Sequence, residues 1–387
     1  MSSSASLSPR AKRTSLIALA LCLSGAWLHA QQATPQGAHR IDKAALRRTV
    51  DSLGNAFVAS KEAPGVSIVV TKGRDTLVSQ GYGVSDLENN VPATPHTVYR
   101  IGSITKQFTS ASVMQLVEAG RVKLDDSIGA YLPNLPARWR PATIRQLLNH
   151  TSGIPSYTDI GPRWLKRIGE PMTPDSLVAL TANDTLTFAP GTGWRYDNSG
   201  YVVLGMLVEK VSGKTYAQYL DEKMFKPLGL TETMYCSNAP IIPHRAQGYG
   251  KDATGWRNAP FIDMTQPFSA GALCSSALDL ARWNQALSSG KVVSGGSYRE
   301  MTTPTGAAAP RHYGFGLMQD TIAAGHRVIM HGGGIPGFST FNAWLPDDSI
   351  SITVLPNSES ARPDRVFRNI ARAVLGLSPV ASATPSK

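Results

Sequence analysis

Ser103-Ile104-Thr105-Lys106 leads into Gln107 to Glu118, where Phe108, Ala111, Val113, Leu116 and Val117 mostly keep helical spacing. Positions i and i+3 share one face of a helix, so the Ser103 hydroxyl and the Lys106 amine are expected to meet. A serine at a helix N-terminus is also a favoured cap. The same terminus offers free N–H groups and the positive end of the dipole, which suit an oxyanion. A second copy of the pattern, Ser288-Ser289-Gly290-Lys291, ends a periodic segment, and its glycine reads as a helix stop.

Working outward, Ile41 to Ala59 reads as a charged amphipathic helix, and Val66 to Val70 as a strand that turns at Gly73-Arg74-Asp75 into Thr76 to Gly83. Near the other end, Tyr313 to Gln319, Arg327 to His331, Phe338 to Leu345 and Ser349 to Leu355 read as four more strands, followed by a helix from Pro363 to Leu377. Between them lie expected helices at Thr143 to Asn149, Pro174 to Ala182, Asn198 to Ser212, Thr215 to Phe225 and Ser276 to Ser289. The long segments Thr187 to Asp197 and Ser237 to Pro267 read as functional loops. This order predicts an α+β (broadly α/β) fold: one antiparallel sheet assembled from both ends of the chain, flanked by helices, with an inserted helical subdomain. The expected domain covers 31–378, with sheet parts at 31–118 and 268–378, the insertion at 119–267 and a flexible tail at 379–387.

Residues 1–30 have the character of an export signal: Arg10, Lys12 and Arg13 precede the apolar run Leu16 to Leu23, and Ala30 follows Trp27-Leu28-His29. The run is too short to span a bilayer, so an exported, periplasmic or secreted protein without stable membrane insertion is expected. Cleavage lowers the net charge from +11 to about +8. With no basic block or nucleic-acid motif, an evenly solvated basic surface is the simplest reading, and no nucleic-acid partner is expected. Cys236 and Cys274 survive cleavage, and an oxidising compartment lets them pair. Two separate buried thiols are the alternative. No Gly-x-Ser-x-Gly elbow and no His-Glu-x-x-His occurs, and Val208 stands where a phosphate loop needs glycine.

Tyr196-Asp197-Asn198 follows the turn Ala189-Pro190-Gly191-Thr192-Gly193, and a nearby ammonium from Lys106 is expected to favour its phenolate. His331-Gly332-Gly333-Gly334 ends an expected strand, and its bare backbone lets a substrate approach closely. His312-Tyr313-Gly314 fits His-x-Gly too, but begins a strand rather than ending one.

Ser103-x-x-Lys106, Tyr196-x-Asn198 and His331-Gly332-Gly333, in that order and spacing, resemble the penicillin-recognising serine hydrolases. The nearest branch is the class C β-lactamase-like one, which includes esterases, D-aminopeptidases and carboxypeptidases. The resemblance runs from about Pro64 to Leu377 and takes in Tyr99-Arg100-Ile101-Gly102, Leu147 to Pro155 and Ser269 to Leu273. It implies a β-lactamase/transpeptidase-like fold and acyl transfer through an ester on Ser103, with Lys106 and Tyr196 handling protons and Asn198 positioning Lys106 and the substrate. It also implies an oxyanion hole from the N–H groups of Ser103 and Gly334, beside Gly333, and no metal or organic cofactor. The implied substrate is a small ester, amide or peptide, cell-wall fragments included; a β-lactamase, a D-alanyl-D-alanine carboxypeptidase or a non-hydrolytic cell-wall sensor are alternatives. His331 departs from the usual lysine of the third motif, and being mostly neutral near pH 7 it weakens attraction for a carboxylate.

Overall fold

Val66, Ile68 and Val70 alternate with Ser67 and Val69, and all five are buried, so the strand that carries them is covered on both faces. In the computed structural model, which describes residues 41–378, this strand is β1 (Gly65–Lys72), continued through β2 (Asp75–Asp86) to the edge strand β3 (Val91–Pro92). The middle of the chain supplies only short strands. These are β4 (Tyr99–Arg100), β5 (Met234–Tyr235), the hairpin β6 (Tyr249–Asp252) and β7 (Gly255–Asn258), and β8 (Leu273–Ser275). The last quarter returns to the main sheet with β9 (Met318–Ile322), β10 (His326–Ile335), β11 (Phe338–Leu345) and β12 (Ile350–Pro356). The main sheet is antiparallel in the order β3-β2-β1-β12-β11-β10-β9, so both ends of the chain meet where Ile68 pairs with Val354.

One face is covered by helices from the two termini. Helix Lys43–Ala59, capped by Asp42, buries Leu46, Val50 and Phe57, and helix Pro363–Val374 buries Val366, Phe367 and Ile370 beside Ile68 and Val354. The other face, with Val69 and Leu355, joins the larger core around Phe108, Leu204 and Trp283. Phe108 and Trp283 stack with ring centroids 3.8 Å apart, tying helix Thr105–Glu118 to helix Ala277–Ser288. The latter stops at Ser288, and Gly290 takes φ +81°, so the second Ser-x-x-Lys copy does straddle a helix end.

Three expectations need correction. The strand read at Tyr313–Gln319 begins only at Met318, because Gly314 N–H donates to Leu317 O in a tight turn and Gly316 takes φ +65°. The loop read at Ser237–Pro267 contains the β6–β7 hairpin. The helix read at Thr215–Phe225 is regular only over Tyr216–Leu220, then widens into a π turn at Asp221–Phe225. The signal segment and the tail lie outside the described residues. Among the described residues no helix is long and apolar enough to cross a membrane.

Candidate active site

Ser103 sits on a single 3-10 turn, Gly102–Ile104, that feeds helix Thr105–Glu118, and its hydroxyl makes no capping bond. Gly102 takes φ +50°, and a Cβ there would lie 3.0 Å from Gly334 N. A Cβ on Gly333 would lie 1.9 Å from Ile101 O. Both glycines are needed for the backbone of β10 to close on the serine turn. At Gly334 a Cβ would meet nothing within 4 Å, so that peptide is left bare at the cleft.

Lys106 is fully buried, and its Nζ lies 3.2 Å from Ser103 Oγ, 2.7 Å from Asn198 Oδ1 and 2.8 Å from Ala270 O. Burial pushes its pKa well below the usual lysine value, opposed only by the charge of Asp197. A neutral amine has two N–H donors and one lone pair. The carbonyl and amide oxygens can only accept, so they take the two N–H groups, and the lone pair is left for the Ser103 O–H. This is the arrangement a general base needs. Asn198 is thereby committed: its Oδ1 holds Lys106, and its Nδ2 donates to Thr158 Oγ1 at 2.9 Å. Asn198→Ala should lower kcat by roughly 10–100-fold, with a smaller change in KM, the loss expected for one hydrogen bond to a reacting group. Equal kcat in steady-state ester hydrolysis would remove Asn198 from this role.

Asp197, not Asn198, caps helix Asn198–Ser212, accepting from Gly200 N–H at 3.0 Å. Burial pushes its carboxyl up to about 7, against the Gly200 and Ser199 N–H groups and Lys106, which favour the charge. Asn caps equally well. Asp197→Asn should therefore keep the helix while removing the charge that holds the Lys106 pKa up. The acid limb of kcat/KM, which rises as Lys106 loses its proton, is expected to move to lower pH. A limb that stays in place would separate the two residues. The Asp197 carboxyl has a folded pKa above its ordinary 3.8, so its burial costs stability increasingly from about pH 4 to about pH 7. The stability gained in Asp197→Asn should grow across that window in urea unfolding.

Tyr196 lies beneath Lys106, whose Nζ is 4.7 Å from the ring centroid. Its hydroxyl is buried and has no hydrogen-bond partner. Burial raises its pKa, which the approach to Ser103 only partly offsets, and burial lowers that of Lys106, so both groups are driven toward their uncharged forms rather than toward the expected phenolate and ammonium. His331 is also neutral: burial, then Lys106, lowers its pKa to about 4. Its Nδ1–H donates to Gly332 O at 2.6 Å, and its Nε2 accepts from the Tyr313 hydroxyl at 2.9 Å, not from Tyr196. His312, the discounted copy, is exposed.

Sequence reasoning assigned no role to Asp197, Tyr313, Thr158 or His150. His150 accepts from Asp197 N–H at its Nδ1, 3.1 Å away, and its ring centroid is 4.4 Å from that of Tyr196. It takes φ +64°, and burial holds it neutral. The signals were present, in the middle residue of Tyr196-x-Asn198 and in His150-Thr151-Ser152-Gly153. What spacing does not reveal is that these residues pack against Tyr196 and Asn198, the neighbours of the Lys106 amine. Cys236 and Cys274 are disulfide-bonded, with Cα atoms 5.1 Å apart.

The cleft over Ser103 is open to solvent and spans about 390 Å³ with that solvent included. Asn198, Tyr157, Trp164, Ile262 and Pro336 line it, with no charged side chain among its walls. Trp164 Nε1 donates to Gln266 Oε1 and the Tyr157 hydroxyl to Gln266 O, which fixes both aromatic rings. Two aromatics of the 237–267 segment stay out of this cleft: Tyr249 is buried elsewhere, and Trp256 lies under Lys251.

This fold, with a buried amine against an open serine, is that of a serine hydrolase working through an acyl-enzyme. Residues 50–377 match the family described as Beta-lactamase, and the chain belongs to that family. It is similar to the putative penicillin-binding protein PbpX of Bacillus subtilis (strain 168), 28% identical over 296 residues that span 76% of this chain and 71% of that one. A D-aminopeptidase of Gluconobacter oxydans is 27% identical over 322 residues, 79% of this chain and 58% of that protein. The crystal structure of a D-stereospecific amidohydrolase from Streptomyces sp. superposes with a TM-score of 0.74 at 30% identity, covering 84% of this chain and 98% of that one.

Proposed function

We propose that Ser103 attacks the carbonyl of an ester or amide while its proton passes to Nζ of neutral Lys106. The carbonyl oxygen becomes an oxyanion held by the N–H groups of Ser103 and Gly334. Tyr196 protonates the leaving group and is re-protonated by Lys106; in deacylation the attacking water passes its proton through Tyr196 to the Lys106 amine, which returns it to Ser103 Oγ as the acyl group leaves. The observation that carries this reading is the Lys106 amine, 3.2 Å from Ser103 Oγ with both remaining contacts to acceptors.

The preferred substrates are esters or amides without a carboxylate beside the scissile bond, D-amino-acid amides among them. Neutral His331 supports this by leaving the end of the third motif without a cation, and the uncharged walls support it too. The names of the D-aminopeptidase and the D-stereospecific amidohydrolase point the same way. A panel of p-nitrophenyl esters, D-alanyl amides and peptides, and nitrocefin tests it: the esters or amides are expected to show the higher kcat/KM. Preferential turnover of nitrocefin would overturn the substrate assignment.

The protein is exported, its first 30 residues acting as a cleaved signal. A disulfide between Cys236 and Cys274 supports an oxidising destination. N-terminal sequencing of the mature protein from a fractionated host, expected to begin after Ala30, checks this.

A further inference from the structure

On the far side of Pro336 from the nucleophile lies a second cleft of about 640 Å³, and Pro336 lines both. Its walls carry Arg100 and Arg245, with Gln247 and Asn258 as neutral hydrogen-bonding neighbours. Neither arginine forms an ion pair or a side-chain hydrogen bond with any described residue, whereas Arg47, Arg145, Arg163, Arg257 and Arg327 are each paired with a carboxylate. Acids on the adjoining segments are committed: Glu359 pairs with Arg257 at 2.9 Å, and Glu88 accepts from Asn258 Nδ2 at 2.8 Å. Arg100 is half-buried and lines the cleft, and its five N–H donors receive no protein acceptor.

The two guanidinium groups are brought together by backbone structure. Arg100 pairs with Cys274 across β4 and β8, a strand pair anchored by the Cys236–Cys274 bond. Arg245 is bridged in parallel to Val98, two residues before Arg100, with Val98 N–H donating to His244 O and Ala246 N–H to Val98 O, each at 2.9 Å. Gly248 and Gly337 pack backbone to backbone beneath the β10–β11 turn, where a Cβ on Gly337 would fall 2.6 Å from Gly248 Cα. Like charges held this way repel; burial and Arg245 both disfavour the charge on Arg100, a cost that a bound anion relieves.

We infer that this cleft is an anion subsite, which takes a carboxylate carried by the substrate several bonds away from the scissile carbonyl. The inference rests on the acyl-enzyme reading and adds to it. The positive charge missing at His331 is supplied beyond the C-terminal end of β10, so the enzyme selects for a remote carboxylate rather than an adjacent one. Two arginines offer the paired N–H donors that a carboxylate accepts.

The test compares kcat/KM for neutral p-nitrophenyl hexanoate with that for mono-p-nitrophenyl adipate, which has a carboxylate on the acyl chain. A third ester, 4-carboxyphenyl hexanoate, has one on the leaving group. In wild type at low salt, the preference for at least one anionic ester over its neutral reference is expected to exceed that of Arg245→Gln by about tenfold. Arg245 is exposed, so this variant keeps the fold; Arg100→Gln, checked by its thermal melt, should lose as much. Unchanged ratios in both folded variants would overturn the subsite and leave the hydrolase reading intact. Calorimetry of adipate binding to Ser103→Ala separates the two ideas. If no ester is turned over but Arg245→Gln abolishes adipate binding, the acyl-enzyme reading fails and the anion site survives. If inorganic phosphate binds there while ester selectivity is unaffected by either substitution, the link to substrate is overturned.

Discussion

Ser103→Ala should lower kcat for a p-nitrophenyl ester by roughly 10⁴–10⁶-fold, the scale seen when a nucleophile that acts as part of a unit is deleted. The fold should be untouched. The Ser103 hydroxyl caps no helix and meets only the Lys106 amine and the Tyr196 hydroxyl, so thermal melts of variant and wild type are expected to lie close together. Intact mass after brief exposure to the ester gives the decisive reading: wild type gains the acyl group and loses it with time, whereas the variant gains nothing. An adduct of equal yield on Ser103→Ala would move the nucleophile elsewhere. The lowered pKa of Lys106 makes this a prediction about chemistry rather than packing, because an amine facing an alanine methyl has no proton to take.

Tyr196→Phe should separate activity from stability in opposite directions. The hydroxyl is buried with no partner, a condition that costs folding free energy. Its removal should therefore raise stability by about 1 kcal/mol in urea unfolding. Activity should fall by roughly 10²–10⁴-fold, the usual contribution of a positioned proton donor. Acylation and deacylation would both slow if the phenol serves both leaving group and water, so burst and steady-state phases should decline together. A variant that loses stability while keeping its turnover would make Tyr196 a packing residue.

Much of this fold was legible because its periodicities are strong and local. Val66 to Val70 and Phe338 to Leu345 alternate or run apolar over strand lengths, and both fall where expected. The short strands around Tyr99, Met234 and Leu273 escaped notice because two or three residues carry no period. They exist because β8 arrives between β4 and β5 from far along the chain. At Tyr313 the apolar pattern misled, since Gly314 and Gly316 impose a turn that local hydrophobicity does not report. Arg100 was quoted only as part of a motif. Its role emerged when a bridge from Val98 brought Arg245 beside it.

By itself the sequence determined which groups come together at the candidate site. Ser103 and Lys106 stand one helical turn apart, Asn198 opens a helix, and the glycines after His331 leave a strand bare, all through short-range geometry. Tertiary structure alone decided their state of charge. Burial pushes the lysine toward its neutral amine, holds the proton on the tyrosine, lowers the pKa of His331 to about 4 and raises that of Asp197 to about 7, because each is withdrawn from water among the others. Desolvation is a property of the packed interior, and no spacing of residues along a chain encodes it directly.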